Sequence, residues 1–363
     1  MQYHRPVKLV LGKHLALPSA VLDLTFAVGA NRLMVTREGK AALILDATMG
    51  REIAKLPKGA GVGPVDPAGT IAVVGEDGKR VAGRTTSNVS LWDLAKGKKR
   101  ALLAKNHPGD DLAPQAIGAT RVLGLRQRKE AISICLFDHA GKKLVEHALG
   151  KVPLPFHGAL SADERFVVHA SFTGAAQLVD TASGKAQKLA GGVLRIGSDH
   201  DKGISSLAFD SSGEHVLYIS HGTETAHVWN VRTRKSLPGT WVGERVQDAF
   251  FSGGSLVVVS SGTREATAKI HSLTTKARPR VVIVGQGSLL FAAVGDDRHL
   301  ACVGFTGWDA YAKSGLEIYD LVSGKRAAKI ALPARMKTAC SVAACPGKVA
   351  VGDLAGGIAL FFA

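Results

Sequence analysis

The chain lacks the features that mark membrane, secreted and disulfide-stabilised proteins. Only 6% of its 363 residues are aromatic, and no apolar run approaches the roughly 20 residues that a membrane helix needs. The stretch from Val21 to Val28 is interrupted by Asp23 and has no cleavage-like end, so we expect no signal peptide. The four cysteines are Cys135, Cys302, Cys340 and Cys345. Four apparently unpaired thiols predict a reducing compartment and a cytoplasmic protein with no membrane partner.

Negative charge is also scarce. The chain has 30 Asp and Glu residues against 46 Lys and Arg residues, a formal net charge of +16 at pH 7. This excess bears on partners rather than on fold, and it favours nucleic acid, an acidic protein surface or anionic lipid. The alternative is a solvated, lysine-rich surface that has no ligand.

A repeated strand ending is the feature that the chain has in abundance. Seven times an apolar strand stops at a short polar turn that continues into a basic strand, and an eighth apolar strand ends the chain. The seven endings are Asp46, Asp93, Asp138, Asp180, Asn230, Ser272 and Asp320. Their spacings are 47, 45, 42, 50, 42 and 48 residues. A period in the forties, with short strands between Gly and Asp turns, predicts an all-β fold of the β-propeller type.

Each repeat reads as one four-stranded blade, and the segment from Gly203 to Thr240 illustrates the pattern. It predicts strands over Ile204–Phe209, His215–Ser220 and Ala226–Trp229, with a more polar fourth strand after the next turn. Gly, Ser and Asp at the turns allow tight reversals, and β-branched and aromatic residues fill the strands.

The two ends of the chain complement each other. The final hairpin, residues 349–352 and 358–361, has no fourth strand after it, whereas Val7–Leu11 is a strand with no hairpin before it. The N-terminal strand is therefore predicted to complete the last blade and to remove its free edge. This count gives a single domain over residues 1–363 with eight blades of about 45 residues. A seven-bladed ring with one irregular appendage is the alternative, because the third and sixth repeats are poorly patterned.

Two of the endings carry a further pattern. Leu91-Trp92-Asp93 and Val228-Trp229-Asn230 are each followed by a basic strand. In these endings, and in its period over essentially the whole chain, the sequence resembles the WD-repeat propeller family. Members of that family are mostly scaffolds with many unrelated partners, so the resemblance implies a non-catalytic protein-interaction role.

Residues suited to catalysis or metal binding are not grouped in any familiar pattern. Four histidines fall within 31 residues, at irregular spacings: His139, His147, His157 and His169. Cys340 and Cys345 would point to opposite faces of a continuous strand. Asp199–Asp201 and Gly109–Asp111 are predicted to lie in loops, as turn-forming and capping residues. We therefore expect no enzyme activity, no cofactor and no metal, and an enzyme with a site at a central channel ranks last.

A basic face is the first candidate binding surface. In a WD-type propeller the third-to-fourth turns and the first-to-second turns lie on one face, and here both are rich in cations. Repetition of these cations around an axis predicts a positive face that attracts polyanions. The residues predicted to form this basic face are Lys98, Lys99, Arg234, Lys235, Arg278 and Arg326. The first-to-second turns add Arg32, Arg121, Arg165, Arg298 and Lys348. The alternative is that lysines only guard edge strands against aggregation.

The opposite face carries the second candidate surface, formed by two long loops over residues 76–87 and 305–314. Trp308 and Tyr311 stand out of strand register in the second loop, and Arg80 and Arg84 lie in the first. Exposed Trp, Tyr and Arg dominate interface energetics, so these four residues are predicted to bind a protein partner. The alternative is that Trp308 folds back on its own blade.

These patterns predict a scaffold subunit of a cytoplasmic complex, with protein partners that the sequence does not identify. A polyanion- or nucleic-acid-binding propeller that uses the basic face is the alternative.

Overall fold

The computed structural model consists of β-strands and their connections, with no helix among the residues that it describes. The described residues are 9–27, 29–57, 60–81, 84–107, 110–150, 155–171, 176–189, 204–220, 225–237, 241–242, 246–252, 254–261, 265–273, 280–286, 289–294, 298–305, 315–336 and 338–363. Within these ranges there is no helical segment with the length and apolarity needed to cross a bilayer.

The strands form eight sheets, each with four strands in order and one with a short fifth strand besides, and these sheets are the blades of a β-propeller. The third and sixth repeats each form a complete sheet, so the alternative of seven blades is wrong. Their patterning is weak because polar residues interrupt the apolar alternation, whereas backbone pairing does not depend on side-chain polarity.

The chain divides into two compact units. The unit of residues 56–243 holds four blades. Blade 2 contains β6 (Gly61–Val65), β7 (Ile71–Val81), β8 (Arg84–Asp93) and β9 (Lys98–Lys105). Blade 3 contains β10 (Asp110–Ile117), β11 (Arg121–Arg128), β12 (Ala131–Asp138) and β13 (Lys143–Gly150). Blade 4 contains β14 (Pro155–Leu160), β15 (Phe166–Ser171), β16 (Ala176–Asp180) and β17 (Ala186–Lys188). Blade 5 contains β18 (Ile204–Phe209), β19 (His215–Ser220), β20 (Thr225–Asn230) and β21 (Lys235–Ser236), and β22 (Trp241–Val242) also pairs with β20.

The unit of residues 1–55 and 244–363 holds the other four blades. Blade 1 contains β2 (Val21–Ala27), β3 (Arg32–Arg37), β4 (Leu43–Asp46) and β5 (Glu52–Lys55). Blade 6 contains β23 (Val246–Ser252), β24 (Ser255–Ser261), β25 (Glu265–Ser272) and β26 (Arg280–Gln286). Blade 7 contains β27 (Leu289–Val294), β28 (His299–Phe305), β29 (Gly315–Asp320) and β30 (Arg326–Ala331). Blade 8 contains β31 (Ala339–Cys345), β32 (Lys348–Asp353), β33 (Gly357–Phe362) and the first strand of the chain, β1 (Val10–Ala16).

The first strand completes the last blade, as the sequence predicts. β1 pairs antiparallel with β33, and blade 8 has the strand order β1-β33-β32-β31. The predicted bounds of this strand, Val7–Leu11, are wrong: it covers Val10–Ala16, and residues 7 and 8 lie outside the described residues. Lys13 and His14 end the apolar run in the sequence, but the backbone continues to pair past them.

The repeated strand ending has a local physical cause. The Asp46 carboxylate accepts hydrogen bonds from the backbone amides of Thr48 and Met49 at 2.9 and 2.7 Å. The same kind of cap closes the turns after Asp93, Asp138, Asp180, Asn230 and Asp320. Four residues after the cap the backbone is left-handed in most of these blades, at Gly50, Gly97, Gly184, Arg234 and Gly324. The cap and the left-handed residue together reverse the third strand into the fourth.

Apolar side chains pack between neighbouring blades of each unit. Leu123 and Ile134 of blade 3 share one buried cluster with Val167 and Val179 of blade 4. Comparable clusters join blades 2 and 3, 4 and 5, 6 and 7, 7 and 8, and 8 and 1. Because side chains of a strand alternate between its two faces, one sheet contributes to the cluster on each side of it.

Candidate functional site

The most extended hairpin of the described chain belongs to blade 2. Its strands β7 and β8 have 11 and 10 residues, and no other described strand exceeds eight. Pairing continues from Ile71 opposite Asp93 to Val81 opposite Arg84. The prediction that residues 76–87 are a loop is therefore wrong. The segment is mostly polar, with Val81 and Ala82 as its apolar residues, so it has no apolar alternation by which a strand would be recognised.

A buried hydrogen-bond network anchors the base of this hairpin. Glu76 is only 8% exposed, and it accepts hydrogen bonds from the Ser90 hydroxyl at 2.7 Å and the Lys99 ammonium at 3.2 Å. The indole N–H of Trp92 donates to the Ser90 oxygen at 3.2 Å. An opposite charge and a hydroxyl thus offset the cost of burying the carboxylate. The arm of the hairpin that carries Arg80 therefore leaves the blade from a fixed base.

Two of the predicted basic-face residues are bound to carboxylates. Lys99 belongs to the network just described, and Arg326 pairs with Glu317 at 3.2 Å. Lys329 donates to the same carboxylate at 3.1 Å, and the Tyr319 hydroxyl donates to its other oxygen. Burial opposes ionisation of Glu317, but these hydrogen bonds and charges outweigh it and lower the pKa of that carboxyl. These cations serve to hold their blades together.

Three other predicted basic-face residues are exposed. Lys98 begins β9 in blade 2, and Arg234 and Lys235 follow the third strand of blade 5. None of the three pairs with a carboxylate among the described residues, so their charge is open to a ligand. Arg278, Trp308 and Tyr311 lie outside the described residues, and their predicted roles stay predictions.

The arginines of the first-to-second turns are engaged within the protein. The pairs within one blade are Arg32–Asp46 at 3.5 Å, Arg165–Asp180 at 3.7 Å and Arg298–Asp320 at 2.6 Å. Burial alone would raise the pKa of Asp320, but the Ser323 amide and the Arg298 guanidinium lower it to about 2. These arginines bind the aspartates that cap the third-to-fourth turns. They therefore add little free positive charge to a ligand-binding face.

Two polar bridges between neighbouring blades are missed by sequence reasoning. The Glu164 carboxylate of blade 4 accepts hydrogen bonds from the Thr120 amide at 2.6 Å and from the Arg121 amide at 3.1 Å in blade 3. The Asn31 side chain of blade 1 accepts one from the Lys348 ammonium of blade 8. Glu164 and Asn31 both have positive φ angles, of 57° and 52°. Other first-to-second turns place glycine in this conformation, at Gly69, Gly213, Gly254 and Gly347. A non-glycine residue at that position is the signal that would have found them.

The clustered histidines lie at separate positions in blades 3 and 4. His139 is in the turn after β12, and His157 is in β14. His147 hydrogen-bonds the carbonyl of Thr181 in the next blade at 3.0 Å. His169 is completely buried in β15, and burial lowers its pKa to about 4, so it is neutral at physiological pH.

The acidic and thiol candidates have structural surroundings. In the described ranges, no group of three or more His, Cys, Asp and Glu side chains is able to hold a metal ion. Asp110 lies in β10 rather than in a loop, and both of its carboxylate oxygens accept hydrogen bonds from Arg126, at 2.6 and 2.7 Å. Residues 199–201 lie outside the described residues. Burial raises the pKa of the Cys135 and Cys340 thiols to about 11, which leaves both uncharged at neutral pH.

Comparison with known proteins adds evidence on the fold alone. No family model matches the chain, and no curated protein matches it. Among solved structures it is similar to the crystal structure of the computationally designed Ika8 protein, with a TM-score of 0.66. That likeness covers 96% of this chain and 98% of the designed one at 16% sequence identity. The structural likeness supports the propeller architecture, and at this low identity it gives no evidence on function.

Proposed function

We propose that the protein is a non-catalytic scaffold that binds a partner protein through the extended hairpin of blade 2. The observation that carries this proposal is the length of the β7–β8 hairpin. Its two strands are longer than every other described strand, and the Glu76 network lies at its base. A β-hairpin fixed at its base presents side chains at little entropic cost when a partner binds. Near its end Arg80 lies opposite Thr85 and Arg84 lies opposite Val81, and these two arginines are the residues that we expect to contact the partner.

The scaffold role agrees with the likeness to WD-repeat propellers that the sequence suggests, and family membership remains part of the proposal. A cytoplasmic location is proposed on the cysteines. All four are free thiols, of which Cys135, Cys302 and Cys345 are buried. Unpaired thiols persist in reducing compartments.

Shortening the hairpin tests the scaffold proposal. Residues 77–87 are replaced by Asn-Gly, a two-residue turn that joins the opposed residues Glu76 and Asn88. Affinity purification from the source cells should identify a partner with the wild-type protein and lose it with this variant. The melting temperature should stay within about 2 °C, because the Glu76 network and the blade core are retained.

Point variants of the same arm locate the contact. R80A/R84A should weaken the recovered complex by roughly thirtyfold, the effect of losing about 2 kcal/mol at an interface hot spot. T85A/T86A is the matched control on the same hairpin, and it should bind as the wild type does. Equal partner recovery by the wild-type and shortened proteins would remove the hairpin from the proposal.

A polyanion- or nucleic-acid-binding function is the second candidate. It is favoured by the exposed cations Lys98, Arg234 and Lys235, which have no carboxylate partner in the described structure. Binding to duplex DNA would then fall steeply with salt, by roughly 0.9 in log–log slope for each phosphate neutralised. Charge reversal of these three residues should abolish it, and a lack of DNA binding at low salt argues for the scaffold function.

A further inference from the structure

The outer strand of blade 2 concentrates positive charge. β9 has four cations, Lys98, Lys99, Arg100 and Lys105, and no acidic residue. No other fourth strand of a blade has more than two lysines and arginines. All four cations are exposed, and β9 is the terminal strand of the sheet β6-β7-β8-β9. The charge therefore lies along one edge of the blade.

Some of the cations on and near β9 form ion pairs with carboxylates, and others do not. Lys96 pairs with Asp93 and Lys99 with Glu76, while Arg126 and Arg128 of blade 3 pair with Asp110. Lys98, Arg100 and Lys105 pair with no carboxylate in the part of the chain that the structure describes. Lys142 of blade 3 is likewise exposed and without a described acidic partner. Lys98, Arg100 and Lys105 of the strand and Lys142 of the turn thus lack a described carboxylate partner, whereas the cations next to them have one.

Protection of a bare sheet edge does not account for these cations. The third-to-fourth turn of blade 3 already lies on β9, since a Cβ on Gly141 would be 2.9 Å from the Ala101 Cβ and 3.3 Å from the Leu102 carbonyl. Covering an edge with a loop is itself sufficient to prevent strand addition. The same turn brings Lys142 to this strand. The edge is thus covered at its centre and cationic on both sides.

The surroundings of the cations favour a peptide over nucleic acid. Leu102 is 39% exposed between Arg100 and Lys105, whereas its neighbours Ala101 and Leu103 pack on the core that blades 2 and 3 share. A peptide supplies an apolar side chain for such a residue, and a phosphate backbone does not. Trp92, the aromatic residue of this blade, is only 8% exposed and donates its N–H to Ser90, so it is not open to base stacking.

We propose that Lys98, Arg100 and Lys105 of β9, with Lys142 beside them, bind an acidic segment of a partner protein that has an apolar residue between its carboxylates. The carboxylates lie against the four cations, and the apolar side chain covers Leu102. This site rests on the proposed scaffold function and adds a second contact on the blade that bears the hairpin. Its ionic part is expected to weaken with salt, because exposed charges are screened beyond about 8 Å at physiological ionic strength.

Fluorescence anisotropy with a labelled peptide, Glu-Glu-Asp-Leu-Glu-Asp-Glu, tests the site at about 50 mM salt. K98E/R100E/K105E should weaken binding at least about tenfold. K185E/K188E/R232E changes net charge equally at exposed cations of blades 4 and 5, and it should bind within about twofold of wild type because distant charges are screened. L102S should weaken the leucine peptide and leave a version with serine in place of leucine unaffected. Circular dichroism checks that each variant is folded.

Several outcomes would overturn this inference: no peptide binding by the wild-type protein, equal losses in the two charge-reversal variants, or tighter binding of a 15-bp DNA duplex through the same β9 residues. The variant with the shortened hairpin should bind the peptide normally, because β9 is intact in it. Peptide binding without any captured partner would therefore reject the scaffold function and retain the site. A captured partner with no peptide binding would reject the site and retain the scaffold.

Discussion

Single glycines set how closely neighbouring blades of one unit approach. The glycine of the third-to-fourth turn lies against the outer strand of the preceding blade. A Cβ on Gly50 would be 3.0 Å from the Leu15 side chain, and one on Gly184 would collide with the His147 ring. Arg234 occupies the same turn position in blade 5 with a φ of 59°, and its side chain is exposed. Blade 5 therefore has the steric cost of an arginine in the left-handed conformation, at a position where the side chain is exposed.

Arg234→Gly should stabilise the protein by about 0.5–1 kcal/mol. Glycine removes the steric cost of the left-handed backbone, less the extra entropy that it gives to the unfolded chain. Urea denaturation monitored by circular dichroism measures the change. G184A is the paired control and should destabilise, because of its contact with His147. A lower midpoint for the glycine variant would mean that the Arg234 side chain makes a stabilising contact.

Glu164 links blade 3 to blade 4 through a charged side chain. Burial raises the pKa of this carboxyl, but the hydrogen bonds from Thr120 and Arg121 outweigh it, so the pKa lies below its usual value. A carboxyl with a lowered folded-state pKa contributes stability above its unfolded pKa of about 4.3 and loses it as pH falls through the folded pKa.

E164Q should therefore cost about 1–2 kcal/mol at pH 7, and the difference from wild type should shrink as pH falls below about 4.3. Denaturant unfolding at a series of pH values measures it. E214Q, at an exposed residue of blade 5, is a control that should change little. A difference that does not vary with pH would assign the loss to packing rather than to the charge.

Among the elements, β1 is expected to contribute strongly to the stability of blade 8. It covers the edge of β33, and Leu15 packs against the buried cluster of blades 8 and 1. Removing it exposes a row of unpaired backbone groups and apolar surface.

Deletion of residues 1–16 should lower the melting temperature by more than about 5 °C and promote aggregation. Differential scanning calorimetry and light scattering measure the two effects. Deletion of residues 1–8 alone retains β1 and serves as the control. Equal melting temperatures for all three proteins would show that β1 does not support the fold.

The elements also divide by how visible they are in the sequence. Most of the blades are predictable because a capping Asp and a glycine lie within five residues of each other, as at Asp46 and Gly50. The β7–β8 arm is not, since neither of its faces has the apolar alternation of a half-buried strand. Ion pairing of the cations is also hidden, because the Arg121 guanidinium pairs with Glu164 at 3.8 Å across 43 positions of sequence. The sequence thus predicts a basic surface but not which of its cations pair with carboxylates.

At the scale of the whole molecule, the unit of residues 56–243 holds four complete blades joined by three apolar clusters. Repeats that contact only their neighbours fold as arrays when several stack together. Expressed alone, this unit should show β-sheet circular dichroism and a cooperative unfolding transition. The fragment 78–265 has the same length but cuts through blades 2 and 6, and it should be markedly less stable. A disordered 56–243 fragment would show that the unit does not fold independently.

The pairing of β1 with β33 has a consequence for the time course of folding. Ala16 and Gly357 are opposite each other but 341 positions apart (357 − 16) in the chain. The other paired strands are near neighbours in sequence. Because a ribosome adds about 5–20 residues per second, β33 is synthesised on the order of half a minute after β1. Blade 8 should therefore be the last to form, with a slow, high-contact-order step. During that interval the first strand has no partner in its own chain, and an unpaired strand edge is able to pair with another molecule.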